Sequence, residues 1–401
     1  MLKEGKKEKI IGIVILAVVI VSVFVIKTII DTKNGKNLTV IYGAVGGGKE
    51  DFLADEKINK ILADKYHIKF VADSWGNGSS IRKPLVRETV HEGNANLSES
   101  ELSVFNDSCS KYDLLFTSDE RYLNEYREDA DKENGEADRY HVMKGSLTLN
   151  TPIIFYSWDT VTDALIKEGI VRYDEATKVY YMEDPNKMIN YILEGKKWKD
   201  IGLNNIYGPI NITSVDPVSS SPGATYYGLL LSILTEQDLT TEAIEKALPT
   251  LKRIYEKAGK LQQTPADLFD LYLKVGEGTY PMIVDYEKSI IEFKNRDAES
   301  YDRIKDKIRL IYSKPTAINS HCIATFTEKG NEYLKAYDDK EIQEIAWKNY
   351  GFRVQGTGVL GNVSVEGLSG IPESLANIPG ATGLKMEHYN RLIEYLGEKE
   401  N

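Results

Sequence analysis

Hydroxyls and glycines, rather than histidines or cysteines, carry the chemistry in this chain. Ser219-Ser220-Ser221-Pro222-Gly223, with Thr225 just beyond, crowds four hydroxyls around a turn, and the pattern that follows predicts a helix from about Thr225. Hydroxyl donors beside the unpaired N–H groups of a helix start can hold an oxyanion without a full counter-charge. The same residue types also build ordinary turns and caps. Gly46-Gly47-Gly48 follows a predicted strand, where glycines leave backbone N–H groups open to an anion. Thr117-Ser118 ends a second predicted strand. Asp285, Tyr286 and Glu287 end a third, where carboxylates suit an amine-bearing or cationic ligand, orient hydroxyls, or cap a helix. These positions are the candidate ligand contacts.

Catalytic patterns fail on inspection. Gly43 to Lys49 fits the glycine and lysine spacing of a phosphate loop, but Glu50 stands where Mg²⁺ needs a Ser or Thr hydroxyl, which excludes an ATPase. The histidines His67, His91, His141, His321 and His388 are scattered, with no pair spaced to bind zinc from one helix face. Ser80 and Lys83 match S-x-x-K, yet no S-D-N or K-T-G partner exists, and there is no G-x-S-x-G elbow. Two cysteines, Cys109 and Cys322, exclude a four-cysteine metal site; in an exported chain they form a disulfide or stay as small buried residues. No catalytic residue, metal or cofactor is expected.

The elements that must position these residues begin outside the folded part. Residues 10–26 carry no charge and no proline, and after Lys27 the apolar run resumes to Ile30. A hydrocarbon core about 30 Å thick needs roughly 20 helical residues, so 10–30 is read as an uncleaved transmembrane anchor. Lys3, Lys6, Lys7 and Lys9 against Glu4 keep residues 1–9 in the cytoplasm and send the rest outside. The balance of 50 basic against 61 acidic residues argues against a nucleic-acid partner.

Beyond a linker at 31–37, strands are predicted at 38–42, 68–72, 113–116, 151–156, 281–285, 308–312 and 322–326. Helices are predicted near 51–65, 158–168, 185–194, 225–236, 241–257 and 265–274. Their alternation suggests βαβ units and a largely parallel sheet, with ligands at the strands' C-terminal ends. The acidic stretch 128–138 reads as a solvated loop.

Four stretches carry a family resemblance: VIYGAVGGGKEDFLADEKINKIL (40–62), YDLLFTSDE (112–120), ITSVDPVSSSPGATYYGLL (212–230), and YPMIVDYEKSI (280–290) with WKNYGFR (347–353). Through them residues 38–401 resemble a bacterial extracellular solute-binding protein of the type 2 periplasmic-binding-protein fold, nearest the sulfate- and molybdate-like branch. The resemblance implies an α/β fold of two lobes with central mixed sheets and a hinge, here behind a transmembrane helix. Lobe I would span 38–151 and 313–401, and lobe II 152–312. It further implies a small-molecule or inorganic-ion ligand, an oxyanion by branch, held between the lobes for an ABC-type permease. The alternative is a surface sensor or interaction module on the same fold. Tyr226-Tyr227 resembles the adjacent tyrosines that ligate ferric iron in some related binders. A membrane span in place of the usual lipid-bearing cysteine, and Glu50 beside the glycine turn, depart from the pattern. Deleting residues 1–30 should move the chain from the membrane to the soluble fraction, and a deletion product still sedimenting with membranes would refute the anchor.

Overall fold

A computed structural model describes residues 38–74, 112–121, 142–218, 220–259, 261, 264–354 and 367–397. The apolar run 10–30, the acidic stretch 128–138, Cys109 and Ser219 lie outside them. No helix among the described residues is long and apolar enough to cross a membrane.

One strand organises the molecule. β4 (Lys144–Trp158) is fifteen residues long, about 50 Å at roughly 3.3 Å per residue. Its first part lies in sheet I, pairing antiparallel with β9 (Ile318–Thr325) and, at Leu149–Asn150, with the two-residue β10 (Arg353–Val354). Beyond Pro152 it belongs to sheet II, flanked antiparallel by β7 (Met282–Tyr286) and β8 (Ile308–Ser313). Pro152 offers no N–H to a ladder and sits at the change of sheet, where the loss is tolerated. Its carbonyl accepts from Glu287 N at 2.9 Å, while Ile153 N donates to Ala317 O at 3.0 Å.

Sheet I continues from β9 through β3 (Leu114–Phe116) and β1 (Thr39–Val45) to β2 (Ile68–Ser74). Sheet II continues from β8 through β6 (Val179–Met182) to β5 (Val171–Asp174). The sheets are mixed, not largely parallel. Only β1–β2, β1–β3 and β6–β8 run parallel among the described pairings, because β9 returns between β3 and β4 and reverses direction there.

The helix expected over 51–65 is two, α1 (Glu50–Ala54) and α2 (Glu56–Lys65). Asp55 breaks it: its Oδ1 accepts from Lys57 N and Ile58 N, at 2.8 and 3.0 Å, so the carboxylate starts a new helix. The other expected helices form as α3 (Asp159–Lys167), α4 (Pro185–Glu194), α5 (Ser221–Leu234), α6 (Thr241–Lys257) and α7 (Pro265–Val275). Further along the chain come α8 (Lys288–Arg296), α9 (Ala298–Ile304), α10 (Glu328–Lys335), α11 (Lys340–Tyr350) and α12 (Met386–Gly397).

Each sheet buries its own core. Ile41, Phe52, Leu114, Phe116, Tyr333 and Phe352 pack on sheet I, and Tyr156, Leu231, Leu248, Ile283 and Ile311 on sheet II. The sequence pattern assigns all of 313–401 to the first half. β9, α10, α11 and β10 do lie with sheet I, but α12 does not: Leu392 and Leu396 enter the sheet II core. Lys252 Nζ on α6 donates to Leu396 O at 2.8 Å, and Arg391 Nε on α12 meets Glu245 Oε1 at 2.7 Å. Cys322 is buried, its thiol donating to Ser320 O at 3.4 Å.

The two sheets are tied together where β4 changes partner. Glu287, wholly buried after β7, receives Arg353 Nε on Oε1 at 2.7 Å and Nη2 on Oε2 at 2.8 Å, and the Tyr312 hydroxyl also donates to Oε2. Burial, and then the Glu287 charge, hold the Tyr312 phenol well above its ordinary pKa, so it stays a donor. Arg353→Ala strands a buried carboxylate. It should lower unfolding free energy by about 3–5 kcal/mol in denaturant titrations, and a loss below about 1 kcal/mol would show that the pair is dispensable.

Candidate ligand cavity

A cavity of about 320 Å³ opens between the end of sheet I and the helices of sheet II. Sheet I contributes Asp119, Glu120 and Arg121 after β3, Asn150 from β4, and Asn319 and Ser320 from β9. From the other side come Thr225 and Leu229 of α5 and the segment Gly380–Leu384 ahead of α12, while Thr316 enters from the passage between β8 and β9. That last segment is held in place by Thr316 N donating to Pro379 O at 2.8 Å and Ala381 N to Thr316 O at 2.7 Å. Thr382 N and Oγ1 fasten to Gln237 Oε1 at 2.7 and 2.9 Å.

The polar groups of this cavity are unevenly satisfied. Arg121 is committed: its backbone N and Nε each reach Asp119 Oδ1 at 2.9 Å, Nη2 meets Oδ2, and the guanidinium lies 4.0 Å over the Tyr389 ring of α12. Glu120 is different. Burial, and then the Asp119 charge, raise its carboxyl above the usual carboxylate range. The hydroxyls of Thr225 and Thr316 are buried with no protein partner among the described residues, although a buried polar group left unpaired costs about 1–3 kcal/mol. Two open hydroxyls at one cavity mark where a bound molecule would supply the missing hydrogen bonds.

Of the described residues singled out from sequence, only Thr225 lines the cavity. Ser118 lies beside it: its carbonyl accepts from the lining residue Asn319 Nδ2 at 2.6 Å, and its own hydroxyl is buried without a partner. Thr117 Oγ1 turns inward to Asp119 O at 2.9 Å and shapes the turn. Ser220 is the N-cap of α5 without a side-chain capping bond, and Ser221 is its first residue, half-buried. Gly223 answers to packing, since a Cβ there would stand 2.4 Å from Val215 O. Tyr226 and Tyr227 are buried against Phe155 and Tyr255 in the sheet II core. Among the described residues no group of three or more His, Cys, Asp or Glu side chains could hold a metal ion.

The acidic cluster expected to face the cleft is structural. Asp285 is 1% exposed within β7 and accepts from Tyr286 N and Ser289 Oγ at 2.7 and 2.9 Å, with burial lifting its pKa to about 6. Tyr286 packs in the core, its carbonyl accepting from Tyr156 Oη at 2.7 Å. Glu287 is consumed by Arg353 and Tyr312. Apolar flanks with a polar strand end look alike in sequence whether the carboxylates face water or a distant arginine.

The glycine turn fills its own anion position. Gly46 N donates to Phe116 O at 2.9 Å, and Gly48, at φ +85°, gives its N–H to Glu50 Oε2 at 2.8 Å. Below the turn Lys49 is 2% exposed, its Nζ reaching Gly46 O at 2.6 Å and standing 4.9 Å over the Phe116 ring. Burial lowers its pKa to about 7. Nearby, burial first, then Lys49 and Lys288, keep His321 neutral.

Asp119, Glu120, Arg121, Asn150, Thr316, Asn319, Ser320 and Thr382 were not singled out from sequence. Asp119 and Glu120 fall inside the recognisable 112–120 stretch. The others come from separate parts of the chain and carry no local signal.

Among solved structures, iron-bound HitA from Pseudomonas aeruginosa aligns with a TM-score of 0.51 at 11% identity, over 90% of this chain and 100% of that one. A protein described as an extracellular solute-binding protein from Bordetella parapertussis aligns with a TM-score of 0.50 at 12% identity, over 89% and 96%. The fold is that of the type 2 periplasmic binding proteins. No protein-family model and no curated protein matches the sequence.

Lys49 gives this fold a signature in pH. With a folded pKa near 7 against 10.5 when unfolded, the unfolded chain binds more protons across that interval, so this residue makes stability rise with pH from about 7 upward and imposes its full penalty below 7. Lys49→Met should flatten the rise between about pH 7 and 9 in denaturant titrations, and an unchanged slope would show that the amine is charged and solvated in the fold.

Proposed function

We propose that this chain is a membrane-anchored, extracytoplasmic solute-binding protein that captures a small polar solute between two lobes, one on each sheet, hinged where β4 changes partner. The observation that carries the reading is the 320 Å³ cavity with lining from both sides of that junction and two unpartnered hydroxyls. Its volume lies in the range of small-molecule sites, about 300–1,000 Å³. Ligand contacts to both lobes would exist together only in the closed state, so binding would shift the population toward closure.

In this reading residues 1–9 stay in the cytoplasm, 10–30 span the membrane and 31–37 link the anchor to the lobes. The tether keeps the protein beside its membrane partner, an ABC-type permease. The oxyanion suggested by the hydroxyl-rich and glycine turns draws little support from the turns themselves, since Gly48 N–H is engaged by Glu50 and Arg121 by Asp119. Thermal unfolding of the full chain in detergent should respond to a cognate solute, with about 2.7 kcal/mol of stabilisation at a hundredfold excess over Kd. A panel of sugars, amino acids, amines, oxyanions and metal ions that leaves Tm unmoved would refute solute capture. Co-purification with a protein other than a permease, without any ligand response, would point to the sensor role instead.

A further inference from the structure

We propose that the cavity selects a hydroxylated organic amine, with the ammonium group at Glu120 and hydroxyls at Thr225 and Thr316, and discriminates against free oxyanions. This rests on the solute-capture reading and names its ligand class.

The first argument is charge. The ionisable side chains lining the cavity are Asp119, Glu120 and Arg121, two carboxylates against one guanidinium. Asp119 and Arg121 satisfy each other through a two-pronged contact, and Tyr389 covers the guanidinium face. Glu120 forms no ion pair among the described residues and is left to set the sign of the site. Gly383 stands beside this carboxylate without crowding it: a Cβ added there would lie 4.0 Å from Glu120 Oε1. An oxyanion would meet a carboxylate there and find the arginine already occupied. An ammonium group would pair with it through a charge-assisted hydrogen bond, stronger than a neutral one.

The second argument is size and polarity. The cavity corresponds to the share of roughly ten liquid waters. A tetrahedral oxyanion or a bare cation would leave most of that space wet. Leu147, Leu229, Ile318 and Leu384 give it an apolar wall suited to a carbon frame. Thr316, only 1% exposed, lines the cavity with an unpartnered hydroxyl, and Thr225 presents another. Each can donate or accept, which matches hydroxyl groups on the ligand.

The test uses the full chain in detergent and calorimetry with matched probe pairs: glucosamine against glucose, ethanolamine against ethylene glycol, and sulfate and molybdate as the anionic arm. At least one amine should bind about tenfold or more tightly than its neutral partner, and Glu120→Gln should erase that preference. Thr316→Val, which removes only the hydroxyl, should weaken the amine without lowering the Tm of the free protein. A neutral partner binding as well as its amine, or an oxyanion binding more tightly than either, would overturn the amine assignment while leaving solute capture standing. Silence from every probe and from the broader panel would overturn both.

Discussion

The cavity depends on a buried ion pair some distance from it. Glu287 follows β7 in sheet II, and Arg353 belongs to β10 in sheet I, so their two-pronged contact joins the sheets at the point where β4 passes from one to the other. Two charges taken out of water cost several kcal/mol each unless every lone pair and proton is engaged. Here the carboxylate also receives Tyr312, and the guanidinium also donates to Pro372 O at 2.9 Å. From this pair two lines run to the lining. Arg353 O accepts from Asn150 Nδ2 at 3.1 Å, and Pro372 begins the segment that reaches Gly380–Leu384. The ion pair therefore sets where both walls stand relative to each other.

The route of the chain between the sheets gives the cavity its coupling. The backbone passes at Pro152–Ile153 and again between the end of β8 at Ser313 and the start of β9 at Ile318. Thr316 lies in the second passage and faces the cavity with an unsatisfied hydroxyl. A ligand bonded to Thr316 would thus touch the connection that must bend if the halves move, in addition to the walls on either side. Arg121 on Tyr389 is a second contact across the same gap, from the end of β3 to α12. Both contacts join segments distant in sequence, so the geometry that lines the cavity is also the geometry that joins the halves.

How far the sequence announced this varies with the range of the interaction. α4 and α6 were legible because their boundaries are local: Asp184 accepts from Lys187 N, Thr240 accepts from Ala243 N, and Gly195 closes α4 in the left-handed region. β7 was legible from its apolar run. The break at Asp55 was also local in origin, yet a single Asp within an amphipathic pattern does not declare that it will cap. β10 is two residues long, and its strand character comes wholly from Asn150 and Leu149 opposite. β9 reversed the expected parallel order because neighbours in a sheet are chosen by the whole chain. For the site, the hydroxyl-rich stretch named Thr225 on equal terms with Ser219–Ser221, and of its described hydroxyl residues Thr225 is the one that lines the cavity. Asp285 and Glu287 were read as facing a cleft, whereas Glu287's partner lies sixty-six positions away and leaves no trace in the local pattern.

The glycine turn shows how a motif can keep its conformation while its chemistry is satisfied internally. Gly48 needs its positive φ to bring the N–H round, and Glu50 then occupies the place an external anion would take. Lys49, which would supply the cation, is drawn under the turn against Gly46 O and Phe116, where burial favours its neutral form. His321 beside it is held neutral by burial and then by Lys49 and Lys288. With the turn closed in this way, the groups open to the cavity are those beyond the end of the neighbouring strand β3, where Asp119, Glu120 and Arg121 stand. On the proposed reading Glu120 would decide the sign of the site, because Asp119 and Arg121 pair with each other and Glu120 forms no ion pair among the described residues.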